Sequence, residues 1–218
     1  MAKVTRSLGV LAVIAVAAGL VMAFGVAPRE VTQGNVQRIM YVHVPAVWVA
    51  YLAFMGVFAA SIGYLWTRAP GADGIAHAAA EVGVVFLGVN IATGAIWGKP
   101  TWGTWWTWDA RLTSVAVVFV LFVGYLLVRQ MTDDPERGAR FAAVVGILGT
   151  LNIPLVHFSV YWWRTLHQPP TFMKPGPAAA SSSIRAALLI NFAGLLLLGT
   201  YFIAKRYALL RAEHEATA

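Results

Sequence analysis

SLGVLAVIAVAAGLVMAFGVA, running from Ser7 to Ala27 without a charged side chain, sets the class of this protein. A helix of about 20 residues crosses the ~30 Å hydrocarbon layer of a bilayer, and this run is long enough to do so. Lys3 and Arg6 precede it, as they would in a signal peptide. The run exceeds the roughly 7–15 residues of a signal h-region, so a retained span is expected.

Five more apolar runs follow. With the first they give expected spans at about residues 7–27, 45–67, 78–96, 113–128, 141–160 and 184–204. Pro45 suits the first turn of the second helix. Thr113 or Ser114 can cap the fourth. Pro154 should kink the fifth. Of the 218 residues, 59% are hydrophobic and 11% charged, where a soluble domain carries roughly 25% charged residues. Mean hydropathy is +0.70. The expected fold is all-α: a single polytopic membrane domain over residues 1–218 with six transmembrane helices. A Trp-rich interfacial segment, 97–112, lies between helices three and four.

The net charge of +7 raises nucleic-acid binding in principle. The basic residues are scattered over helix ends, however, and form no basic face. Membrane lipid headgroups are the better partner, and no nucleic acid is expected. There are no cysteines. That excludes a disulfide framework, a thiolate metal site and the C-x-x-C-H signature of covalent haem attachment.

Loops one, three and five (28–44, 97–112, 161–183) fall on one face; the termini and loops two and four fall on the other. Nine Lys and Arg lie on the terminus side and seven on the opposite side. The positive-inside rule therefore places the termini in the cytoplasm by a narrow margin. So many cations on an outer face call for a reason such as an anionic ligand. Loop five carries Pro169-Pro170 and Pro175-Gly176-Pro177 and is expected to be extended and mobile.

Five of nine tryptophans fall between positions 97 and 108: Trp97, Trp102, Trp105, Trp106 and Trp108. Trp102, Trp105, Trp106 and Asp109 follow an i, i+3, i+4, i+7 pattern, so a helix there would lie in the interface with these residues on one face. An aromatic belt is the plain alternative. A belt spreads over both interfaces, whereas Trp48, the cluster, Trp162 and Trp163 share one side and only Trp66 is on the other. So large a flat apolar surface suits a flat aromatic ligand.

His43, in Tyr-Val-His-Val-Pro, and His157, in Pro-Leu-Val-His-Phe, reach the same outer depth on different helices. Neutral imidazole ligates haem iron, and two histidines could clamp one iron from opposite faces. A histidine satisfied by a backbone carbonyl is the alternative for either alone. His167, in loop five, reads either way. His77 and His214 need only a solvated-loop role. Lys99, Arg111 and Arg164 lie on the same side and could hold the two haem propionates, or lipid phosphate. Asp109 could pair with Arg111 or orient another group. Histidines at one depth disfavour a two-haem cytochrome b, and no Walker motif is present to power transport.

The stretch Trp102 to Asp109, Trp-Gly-Thr-Trp-Trp-Thr-Trp-Asp, resembles the WWD signature of haem-handling membrane proteins. With Thr93-Gly-Ala-Ile-Trp-Gly-Lys-Pro, Tyr41-Val-His-Val-Pro, and the segment from Asn152 to Gln168, the chain resembles the CcmC family of system I cytochrome c maturation. That resemblance implies a non-enzymatic subunit of the bacterial inner membrane. Such a subunit holds haem b transiently and non-covalently on the periplasmic side and passes it to the haem chaperone CcmE, with CcmD and the CcmAB ATPase as further partners. It places axial ligands at His43 and His157 and a contact surface on Trp102 to Asp109. Two other classes compete. A haem-to-apocytochrome ligase would need the further spans and outer domains of larger WWD proteins. A haem exporter would need a polar file through the spans, for which only Glu81 and Asn90 are candidates.

Overall fold

The computed structural model describes residues 2–167 and 181–217. Helix α1 (Ala2–Val21) runs into a π-helical turn at Met22–Val26, and a 3-10 turn (Val36–Ile39) leads into α2 (Met40–Thr67). The remaining helices are α3 (Pro70–Trp102), α4 (Ala110–Gln130), α5 (Pro135–Leu151), α6 (Ile153–Trp162) and α7 (Ser182–Thr217). Among the described residues six helical stretches are long and apolar enough to cross a membrane, with α5 and α6 sharing one crossing. Six crossings return both termini to one face.

Several boundaries differ from those expected. The second helix begins at Met40, so Pro45 lies inside it and His43 is helical and does not precede the helix. At that position the proline has no N–H to offer the Tyr41 carbonyl, one turn back, and its ring crowds that oxygen. The third helix starts at Pro70, a favoured first-turn residue, and continues to Trp102, absorbing Trp97 and Lys99. The cap of α4 is Asp109, not Thr113 or Ser114; its carboxylate accepts from the Leu112 amide at 2.9 Å. The fifth crossing breaks at Asn152, two residues before Pro154, where the Asn152 amide turns to the Gly149 carbonyl at 3.2 Å. The prolines of loop five fall outside the described residues.

α2 is central, packed against α3, α5 and α7. Its Phe54 stacks on Phe122 of α4 at 3.6 Å between ring centroids. Thr150 of α5 reaches across to donate to the Phe54 carbonyl at 3.1 Å. α1 lies along α7, where the buried Asn191 amide donates to the Gly19 carbonyl at 2.8 Å. In hydrocarbon such a bond removes a donor that would otherwise be unsatisfied. On the terminus side, Arg129 holds Asp73 with two bonds of 2.6 and 2.5 Å, fixing the end of α4 to the start of α3. Glu81 receives Arg206 of α7 and His77.

Candidate functional site

The opposite face, at the ends of α2, α3, α4 and α6, holds a cavity of about 300 Å³, at the lower end of the range of small-molecule sites. One wall is α3 and the loop after it. Gly103 adopts φ +79°, a conformation only glycine takes without strain, and stops α3 just past Trp102. Its amide caps Lys99 O at 3.0 Å while the Lys99 ammonium donates to Gly103 O at 3.0 Å. Lys99 thus serves the helix end and does not line the cavity.

Residues 103–109 are not helical. The interfacial helix that would have put Trp102, Trp105, Trp106 and Asp109 on one face is therefore absent. Trp102, Trp105 and Trp106 still meet by another route, joined by Trp97: Trp97 and Trp102 from the last turns of α3, and Trp105 and Trp106 from the loop, all line the cavity. Trp108 does not. It is 77% exposed and meets Trp106 edge-on at 5.6 Å. Asp109 is also outside the lining. One of its oxygens caps α4, and the other accepts from the Leu166 amide at 3.1 Å, fastening loop five to loop three.

Three histidines line the same cavity: His43 from α2, His157 from α6 and His167 from loop five. His43 Nδ1 faces the Asn90 carbonyl at 3.0 Å and the Thr93 hydroxyl at 3.2 Å. The His157 ring meets Phe158 edge-on at 5.1 Å. His167, which the sequence left open, rests on Trp102 at 4.8 Å between centroids. Its Nδ1 is buried without a partner. Burial, then the positive charge of Arg111, then His43, push its imidazole down to about 3, so it is neutral at pH 7. The chain signal for His167 was weak because its depth depends on a tether through Asp109, a contact 57 residues apart in sequence.

Arg111 enters from the first turn of α4 and lines the cavity, with Nη1 buried and unpartnered. The Trp106 indole N–H is likewise buried and unpartnered. The Asp109 carboxylate acts on Arg111 through space but makes no bond to Nη1, and a buried guanidinium N–H without an acceptor is costly unless an anion completes it. The cavity therefore offers neutral imidazoles, flat aromatic walls and two unsatisfied donors. That donor set fits a planar apolar ligand bearing a metal and a carboxylate. Arg164 is exposed and outside the lining. Asn90 bonds to His43 and Glu81 pairs with Arg206, so neither stands as a free station in a polar file.

The sequence profile of the CcmC family, heme exporter protein C, matches residues 1–218. The chain belongs to the CcmC family. Heme exporter protein C of Bradyrhizobium diazoefficiens is 40% identical over 212 residues, covering 97% of this chain and 79% of that one. The Escherichia coli K12 protein of the same name is 39% identical over 192 residues, 88% of this chain and 77% of its own. A ccmC-like mitochondrial protein of Marchantia polymorpha, named for cytochrome c biosynthesis, is 37% identical over 187 residues, 86% of this chain and 79% of its own. The CcmC assignment thus extends over all six crossings and every residue of the cavity.

Proposed function

We propose that this CcmC-family chain binds haem b non-covalently at the periplasmic face of the bacterial inner membrane and passes it to the haem chaperone CcmE. The observation that carries this reading is the convergence of three histidines and the unpartnered Arg111 Nη1 on one tryptophan-walled cavity. The names of its relatives, heme exporter and cytochrome c biosynthesis, support the same cargo and a role without catalysis. Both termini are cytoplasmic in this reading, and CcmD and the CcmAB ATPase are the further partners.

In this site the indoles of Trp97, Trp102, Trp105 and Trp106 flank the porphyrin, and Arg111 with the Trp106 N–H takes a propionate. His43 supplies one axial nitrogen. The second comes from the other wall, where His157 and His167 both line the cavity. His167 has the stronger claim: its ring nitrogen is buried and unpaired, its imidazole stays neutral, and it lies on Trp102 within electrostatic reach of His43. His157, the partner expected from depth alone, is the alternative. The exposed rim of Trp105 and Trp108 leaves one side open to a chaperone.

Purified protein should show a Soret band and a low-spin b-type spectrum. His43→Ala and His167→Ala should each convert bound haem to high spin, and His157→Ala should not. The converse pattern would move the second ligand to His157. Three low-spin variants with full haem would sink the ligation scheme. Mixed with excess apo-CcmE, the loaded chain should lose its haem; retention would refute the transfer step.

A further inference from the structure

We propose that Asn90, Thr93 and Gly94 are positioning residues that hold the His43 imidazole with its proton on Nδ1 and its lone pair on Nε2. This inference rests on the haem reading of the cavity and concerns how one proposed ligand is prepared for iron.

Asn90, Thr93, Gly94 and Trp97 stand at i, i+3, i+4 and i+7 on α3 and so share one face. The His43 ring, from α2, lies against that face. Two oxygens approach its Nδ1: the Asn90 carbonyl at 3.0 Å and Thr93 Oγ1 at 3.2 Å. The carbonyl can only accept. The Thr93 hydroxyl hydrogen has its own acceptors, Val89 O at 2.7 Å and Asn90 O at 3.1 Å, which leaves its oxygen lone pairs for His43. Two acceptors facing Nδ1 fix the proton there.

The Asn90 side chain braces the ring. Its amide nitrogen donates to the His43 backbone carbonyl at 3.1 Å, which identifies that end of the amide as the nitrogen. The same atom is 3.2 Å from Nδ1 and 3.3 Å from Nε2. Being nearly equidistant, it cannot lie on the axis of either lone pair. It presses on the ring without consuming the Nε2 lone pair. Gly94 leaves the gap into which the ring fits: a Cβ there would stand 2.8 Å from His43 Cε1. Trp97 closes the far side at 5.7 Å and 82°, its own indole N–H held by Gln33 Oε1 at 2.8 Å. The ring is thus confined on three sides, with Nε2 the nitrogen left for a metal. Histidine ligands are commonly oriented this way by a carbonyl on the second nitrogen, and losing that support typically lowers metal affinity 10–100-fold.

The test uses the full chain in nanodiscs with its histidines ¹⁵N-labelled, His43 assigned by comparison with His43→Ala, plus added haem. In the haem-free chain the His43 resonances should report a protonated Nδ1 and an unprotonated Nε2. Gly94→Ala should lower haem affinity about 10- to 100-fold and shift the residual haem to high spin. Added imidazole should restore the low-spin spectrum, a rescue that a general packing defect would not show. Thr93→Val should raise the reduction potential of bound haem by weakening the hydrogen bond that enriches the imidazole, and Thr93→Ser should restore it. Should Gly94→Ala fail to fold, the tautomer and the Thr93 pair carry the test. An Nε2-protonated His43, or Thr93→Val with unchanged potential in a His43-ligated protein, overturns the cradle. Wild-type chain that shows the Nδ1 proton but takes up no haem would support the cradle and refute the haem reading.

Discussion

Asp109 should control the far side of the site without touching its ligand. Its two oxygens do separate work: Oδ1 caps α4 through Leu112 N at 2.9 Å, and Oδ2 holds Leu166 N at 3.1 Å. An N-cap contributes about 1 kcal/mol. The hydrogen bond to Leu166 is on the exposed side, so its net value is also about 1 kcal/mol. Asp109→Ala loses both. Asp109→Ser keeps a capping oxygen and loses the tether. Asp109→Asn has only one carbonyl oxygen, so its amide hydrogens face whichever N–H it fails to satisfy. The Ser variant should therefore release Leu166 and the adjoining His167 while α4 stays capped. A loss of about 1.4 kcal/mol corresponds to tenfold, so amide exchange at Leu166 and His167 should rise roughly five- to tenfold. Haem should dissociate faster by a similar factor, because His167 follows the tethered residue. Hydrogen exchange by mass spectrometry and stopped-flow haem capture measure the two rates. Unchanged exchange in Asp109→Ser would refute the tether. Faster exchange with unaltered haem dissociation would refute His167 as a ligand.

Acidification should leave the site intact over a wide range. Because folding holds the His167 imidazole below its ordinary value, at about 3, its contribution to stability is full above about pH 6.5 and is lost as pH falls from there towards 3. The imidazole itself stays unprotonated and able to ligate over the upper part of that fall, so a Soret titration should show the His167-dependent low-spin signal flat from pH 8 to 5. Arg111→Gln should weaken haem binding about tenfold and abolish the preference for haem over its dimethyl ester, as seen in competition titrations. Trp106→Ala should lower haem occupancy strongly while Trp108→Ala, at a position 77% exposed and off the cavity, should leave it near wild type. Asp73→Ala strands the Arg129 guanidinium and should cost about 3 kcal/mol. The double change Asp73→Leu with Arg129→Met should recover most of it in thermal unfolding.

The crossings were legible because lipid imposes a length and an absence of charge that a single sequence displays. Helix ends were less so. Nothing in the apolar run shows that α3 continues through Trp97 to Trp102, since the stop depends on Gly103 taking a positive φ and on Lys99 folding back to cap it. The tryptophan periodicity at 102, 105, 106 and 109 pointed to a helix that does not form; the same side chains converge because a helix end and a loop close over one cavity. His43 and Arg111 could be found from position, being polar at helix ends on the cavity's face. His167 could not, since its depth is set by a carboxylate far away in the chain. The roles of Asn90, Thr93 and Gly94 were equally hidden: on α3 they are one more small-residue stripe until the ring from α2 is laid against them.

α7 holds 36 residues, from Ser182 to Thr217. At 1.5 Å per residue that is ~54 Å, against ~30 Å of hydrocarbon. Roughly 20 Å of helix therefore stands clear of the membrane on the terminus side. It does not stand alone, for the early turns of α3 rise beside it, with Gly71 and Gly74 against Tyr207, and Arg206 is bolted to Glu81 at the base. Two helices joined in this way make a stiff post. From the Arg206–Glu81 joint α3 runs on to Trp102, in the wall of the cavity. The two faces of the protein are thus joined by one helix, anchored to the post at one end and walling the cavity at the other.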